Sequence, residues 1–134
     1  MYLALLDEKE KELFLGLAYN LAAADGNYSD EEKAVISGYC QEMQFGFDEK
    51  NMVKATDVLL DLINSNSSMK TKKIIIFELV GLAMADASYD ADERALINLA
   101  EKQFGVKKGY ANNCEGELSK YIEFQTKLNQ IVLG

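Results

Sequence analysis

The chain has 134 residues, 49% of them hydrophobic, with nine Gly, no Pro and no His, and its net charge is -8. That length and apolar content suit one domain, residues 1–134, around one core, and the scarcity of helix breakers makes the expected class all-α. With no His and no paired Cys motif, a Zn, Cu or Ni site has almost nothing to use, and the acidic balance excludes nucleic acid as a favoured partner.

The charge is uneven: residues 1–64 hold 5 Lys against 13 Asp and Glu, whereas residues 65–134 hold 9 Lys and Arg against 9 Asp and Glu. A basic protein surface is therefore an expected partner for the first half. The longest nearly apolar run, from Ile74 to Ala85, is interrupted by Glu78 and falls short of the roughly 18 to 20 residues that cross a bilayer. No direct membrane insertion is expected. Met1 to Leu6 lacks the basic start and cleavage site of a signal peptide, so the expected location is cytoplasmic. Cys40 and Cys114 each fall on an apolar helix position and are read as buried thiols rather than a disulfide.

In chain order, Asp7 with Glu10 forms a capping-box pattern that opens a helix to about residue 24, with Leu13, Phe14, Leu17, Ala18 and Leu21 on its inner face. Gly26 suits the left-handed conformation that ends such a helix. Ser29 with Glu32 opens a second helix, to about 43, along Ile36, Tyr39, Cys40 and Met43. Phe45-Gly46-Phe47 reads as a turn. Asp48 then caps a third helix, to about 64, whose stripe is Met52, Thr56, Leu59 and Ile63. The polar stretch Ser65 to Ser68 reads as a joint.

A fourth helix, about 70 to 85, is apolar on nearly all sides and is the element expected to be most buried. Asp90 with Glu93 opens a fifth, through Leu96, Ile97, Ala100 and Phe104. Phe104-Gly105-Val106 mirrors the earlier Phe-Gly turn at an offset of 59. A sixth helix from about 108 to 132 is expected to turn Cys114, Leu118, Tyr121, Ile122, Leu128 and Val132 inward.

The chain repeats itself. Leu21 to Ile36 and Leu82 to Ile97 align at an offset of 61 with 8 of 16 positions identical, and Lys33 with Arg94 is among the like-for-like exchanges. The expected architecture is a compact six- to seven-helix bundle of two pseudo-symmetric three-helix repeats, 8–64 and 70–132. A pseudo-twofold axis would bring the two Asp loops to one end.

Those loops are the candidate site. The EF-hand pattern fails in both copies, because position six is Asp30 or Ala91 rather than Gly and position twelve is Ile36 or Ile97 rather than Glu. A shared site remains, built from Asp25, Glu32, Asp86 and Glu93, and its oxygen-only ligands favour Ca or Mg. Helix capping alone explains Glu32 and Glu93, each worth on the order of 1 kcal/mol. It does not explain Asp25 or Asp86, where a negative charge at a helix C-terminus opposes the dipole. Tyr28 and Tyr89 could hydrogen-bond this site or plug the loops with a packed ring. Lys70, Lys72 and Lys73, like Lys107 and Lys108, open helices and read as a solvated face or a basic docking patch.

Ala24-Asp25-Gly26 with Glu32, repeated as Ala85-Asp86-Ala87 with Glu93 in a wholly helical chain, resembles the TerB family of tellurite-resistance proteins. The resemblance implies a compact helical domain with metal-binding acidic loop residues, linked to tellurite and general stress resistance. Ala87 stands where the pattern has Gly, and would cost roughly 1 kcal/mol in a left-handed conformation.

The expected function is thus a non-enzymatic, divalent-cation-binding TerB-like domain in a tellurite or stress-response assembly. The alternative is a metal-independent interaction module that docks a basic partner through Glu31, Glu42 and Glu49. An enzyme using two carboxylates as acid and base is disfavoured, since a helical bundle this small leaves little room for a substrate cleft.

Overall fold

A computed structural model describes residues 1–24, 26, 28–85 and 89–134. Its helices are α1 (Glu8–Ala22), α2 (Asp30–Met43), α3 (Glu49–Met52), α4 (Thr56–Asn66), α5 (Met69–Ala83), α6 (Ala91–Phe104) and α7 (Tyr110–Leu133), preceded by a 3-10 turn at Leu3–Leu5. Among the described residues there is no strand, so the chain is an all-helical bundle. No described helix is long and apolar enough to cross a membrane.

Local sequence sets the helix starts. Asp7, Ser29 and Asp90 each accept the backbone N–H three residues on, and Glu10, Glu32 and Glu93 return the bond to the cap residue's own N–H. Each reciprocal pair satisfies two donors that a helix start otherwise leaves without partners. Ser68 caps α5 through the Thr71 N–H. The bounds of α1 and α5, and likewise those of α2 and α6, coincide at the offset of 61.

The centre of the bundle is α5. Ile74, Ile75, Ile76, Leu79, Val80, Leu82 and Ala83 are all buried, and α5 packs against α1, α2, α6 and α7. An element apolar on nearly every side has no face to offer water, so elements from both halves of the chain cover it. Phe14, Leu17 and Leu21 of α1 and Ile97, Ala100 and Phe104 of α6 join the same core.

The structure departs from the sequence reading in four places. The expected third helix is two: α3 ends at Met52, Val53 is extended, and α4 starts at Thr56. The break is held by α1, where Asn20 Nδ2 donates to the Lys54 carbonyl at 2.8 Å and to Thr56 Oγ1 at 3.2 Å. Asp48 precedes α3 but its side chain makes no cap bond to the backbone.

Second, the two Phe-Gly turns do not correspond. The left-handed residue ending α2 is Gln44 (φ 51), and its counterpart ending α6 is Gly105 (φ 67), so the offset of 61 persists to the end of these helices and the 59 match of the Phe-Gly turns is not structural. In both copies the residue after the stop donates back five positions, Phe45 to the Cys40 carbonyl and Val106 to the Glu101 carbonyl.

Third, the last helices do not match, α4 having 11 residues and α7 having 24. Fourth, α7 buries only Ala111, Cys114 and Leu118, whereas Tyr121, Ile122, Leu128 and Val132, expected inside, are exposed. The helix outruns the body that it packs on.

A segment without a clear sequence signal completes the core. Leu3 and Leu6 are buried, and the backbone leading into them is held by carboxylates: Tyr2 N–H donates to Glu78 Oε1 at 2.9 Å and Leu3 N–H to Glu42 Oε2 at 3.1 Å. The Met1 amine lies 2.8 Å from the same Glu78 oxygen. Glu78, which reads as a flaw in an apolar run, is an acceptor for buried backbone. Glu101 does comparable work at the start of α7, accepting from the N–H groups of Gly109 at 3.0 Å and Ala111 at 2.8 Å.

Gly16 lies at a close approach of α1 to α3, since a Cβ there would lie 2.6 Å from the Met52 carbonyl oxygen. Gly16→Ala should therefore destabilise the fold by about 1–3 kcal/mol through overpacking. Gly38→Ala, in a helix with open space around it, should stabilise by roughly 0.5–1 kcal/mol. Urea denaturation of the two variants checks the opposite signs.

Candidate functional site

The site begins with the two N3 glutamates. Glu32 sits in the first turn of α2 and Glu93 in the first turn of α6, and each is only 3% exposed although both belong to helix starts, where carboxylates ordinarily face water. Glu32 Oε1 accepts from the Ser29 N–H at 3.1 Å and from the Ser29 hydroxyl at 3.0 Å. Glu93 Oε1 accepts from the Asp90 N–H at 3.2 Å. The caps thus fix both rotamers and turn the carboxyl groups inward.

The two carboxyl groups meet. Burial raises the Glu93 pKa to about 8, helped by the charges of Asp90 and Glu32 and by a direct hydrogen bond to the Glu32 carboxylate, and opposed by the Asp90 N–H. Both carboxyl groups are turned inward by their caps, and in this setting the neutral form of Glu93 is the favoured one. At neutral pH the pair therefore holds a proton between two carboxyl groups that start 61 residues apart in the chain.

The surroundings repeat around each glutamate. Lys33 Nζ stands 5.3 Å from the centroid of the Tyr28 ring, and the Arg94 guanidinium stands 3.8 Å from that of Tyr89. Both rings are half-buried and pack against the core, as the plug reading expects. Tyr28 also meets Tyr19 edge to face at 5.5 Å, and burial pushes the Tyr89 hydroxyl up to about 12. Arg94 forms a two-pronged ion pair with Glu115 of α7, at 3.1 and 2.9 Å, so the second loop is tied to the last helix. Each cation is in cation–π contact with its ring, and none of the ion pairs among the described residues involves Glu32 or Glu93.

Of the four residues read from the sequence as ligands, Glu32 and Glu93 come together. Asp25 and Asp86, like Ala87, lie outside the described residues. Gly26 is described and is left-handed (φ 77), as its place after α1 demands. Among the described residues no group of three or more His, Cys, Asp or Glu side chains is arranged around a common point. An oxygen-only pair that gives up one proton has the chemistry of a hard-cation site, and two carboxylates need further oxygen ligands to complete one.

Other candidate groups resolve into structural roles. Cys40 and Cys114 are free thiols, half-buried and buried, and burial pushes both thiol pKa values up, away from reactivity. Of the acidic residues read as a docking face, Glu42 holds the Leu3 N–H and Glu49 accepts from the Tyr19 hydroxyl at 3.0 Å. Lys70 and Lys73 line a shallow cavity of about 640 Å³ with Tyr2, Leu5, Phe77 and Tyr110. A second cavity, about 740 Å³, lies beside Glu101, whose two oxygens are engaged in capping α7. Comparison with family models, with curated proteins and with solved structures returns no match for this chain.

The raised Glu93 pKa carries a pH dependence of definite sign. Between the ordinary carboxylate range and about pH 8 the folded chain holds a proton that the unfolded chain has lost, so this contribution is full at low pH and declines as pH rises toward 8. Glu93→Gln mimics the neutral form and should remove that decline. Its stability relative to the parent chain should grow from pH 5 to pH 8, as read by urea titrations. Parallel curves for the two chains would show that Glu93 is ionised in the fold.

Proposed function

We propose that this chain is a non-enzymatic, cation-responsive helical module of the TerB type, in which Glu32 and Glu93, together with Asp25 and Asp86, hold one Ca or Mg ion. The observation that carries this reading is the meeting of Glu32 and Glu93, buried from equivalent positions of the two repeats. Two capping carboxylates need not touch. Turning both inward is unfavourable unless a proton or a cation offsets the repulsion, and the raised Glu93 pKa supports that reading.

A divalent ion would replace that proton. The capping boxes would hold the carboxylates in place, and the loops that precede α2 and α6 would supply the remaining oxygens from Asp25 and Asp86. Occupancy would then pin the two loops to each other and stiffen the end of the bundle, which is the kind of change a partner in a tellurite or stress-response assembly can read. Ca and Mg are the ions proposed because the set is wholly oxygen.

The exchange of a proton for a cation is measurable. Calorimetric titration with Ca or Mg at pH 7, run in buffers of different ionisation enthalpy, should show release of about one proton per ion bound. Either ion at a hundredfold excess over its Kd should stabilise the fold by about 2.7 kcal/mol, raising Tm. Glu93→Gln should lose both effects. If millimolar Ca and millimolar Mg leave thermal unfolding of the parent chain unchanged, the cation reading fails.

A further inference from the structure

The second half of α7 is the largest feature of the molecule that neither the core nor the carboxyl pair uses. Beyond Leu118 the helix carries Tyr121, Ile122, Phe124, Leu128, Ile131, Val132 and Leu133, and every one of them is exposed, the last three by 75% or more. Single exposed apolar residues need no explanation, but monomeric soluble proteins rarely show a contiguous apolar patch above roughly 300–600 Å². Here seven large exposed side chains fall within four turns of one helix.

The spacing says what kind of surface this is. Cys114, Leu118, Tyr121, Gln125, Leu128 and Val132 follow one another at intervals of 4, 3, 4, 3 and 4, the a/d pattern of a helix seam. Its first two members, Cys114 and Leu118, are buried against the body. The remaining four continue the same line into solvent, with Ile122, Phe124 and Ile131 widening it on both sides. One polar residue, Gln125, interrupts the line, as single a-position polar residues do where pairing register is specified.

We infer that the exposed half of α7 is a homodimer interface, covered by α7 of a second copy of this chain. Three observations favour a copy over another occupant. The exposed line of Tyr121, Leu128 and Val132 continues the row of Cys114 and Leu118 that is already buried, so a second α7 laid along it extends an existing packed seam. A two-fold contact places a patch against itself, so the patch must not carry net charge, and the charges of this segment are neutralised within the helix, Lys120 by Glu117 at 3.2 Å and Lys127 by Glu123 at 3.3 Å. A membrane surface is a poorer fit, because a chain of net charge -8 is repelled by anionic lipid and the lysines that would face headgroups are already paired.

The test is the mass of the full chain in solution. Sedimentation equilibrium should give a dimer at roughly 50 µM, and Leu128→Glu with Ile131→Glu should raise the dimer Kd by at least about a hundredfold, since each places unpaired charge in the contact. Both positions are exposed, so the doubly substituted chain should keep its far-ultraviolet circular dichroism. Gln125→Leu, which makes the seam wholly apolar, should tighten the dimer and keeps the proposal testable should the double variant misfold. A parent chain that is monomeric at this concentration, or a dimer that both substitutions leave intact, overturns the inference. So does a monomer that sediments with neutral phosphatidylcholine vesicles, which would make lipid the occupant.

Discussion

The constraint on which the rest of this structure depends is the burial of α5. A helix carrying Ile74, Ile75, Ile76, Leu79, Val80 and Leu82 has apolar atoms around most of its circumference, and burial of each such side chain is worth about 1.5–3 kcal/mol. No single neighbour covers it. It is enclosed by α1 and α2 from the first half of the chain and by α6 and α7 from the second, and that enclosure brings the two capped helix starts within reach of each other. The one carboxylate in the apolar run, Glu78, is tolerated because backbone donors from residues 1 and 2 converge on it.

The carboxyl pair follows from that arrangement and from the capping boxes together. A capping glutamate at N3 bends back toward its own N-cap, which on a surface helix keeps it in water. Here the starts of α2 and α6 lie against the core, so bending back also means going inside. Burial then makes two like charges untenable, and the pair responds by keeping a proton on Glu93. One local motif, used twice, serves as a helix start and turns a carboxyl group into the interior.

Much of this was legible in the residues. The capping pairs, the apolar periodicity and the 61-residue repeat each rest on short-range chemistry: a side chain reaching three residues along its own helix, a face recurring every 3.6 residues, a chain repeating its own words. Such features place α1, α2, α5 and α6 to within a residue or two, and they mark Glu32 and Glu93 as equivalent. The failures share a cause. Phe45-Gly46-Phe47 looks like the partner of Phe104-Gly105-Val106, but the left-handed residue matching Gly105 is Gln44, two positions earlier. The stripe from Met52 to Ile63 reads as one helix, yet Asn20 and the close approach at Gly16 settle the chain into two. Tyr121 to Val132 has the periodicity of a buried face, yet nothing among the described residues covers it.

By itself, then, the sequence determined the helical class and the starts of α1, α2, α5 and α6, because caps and periodicity act over a few residues and are written locally. Only the tertiary structure decided that Glu32 and Glu93 touch, that Glu78 and Glu101 serve backbone groups far along the chain, and that the apolar line of α7 outlasts the body. Those outcomes turn on which surfaces are left after α5 has been covered, and a count of residues along the chain does not contain that remainder.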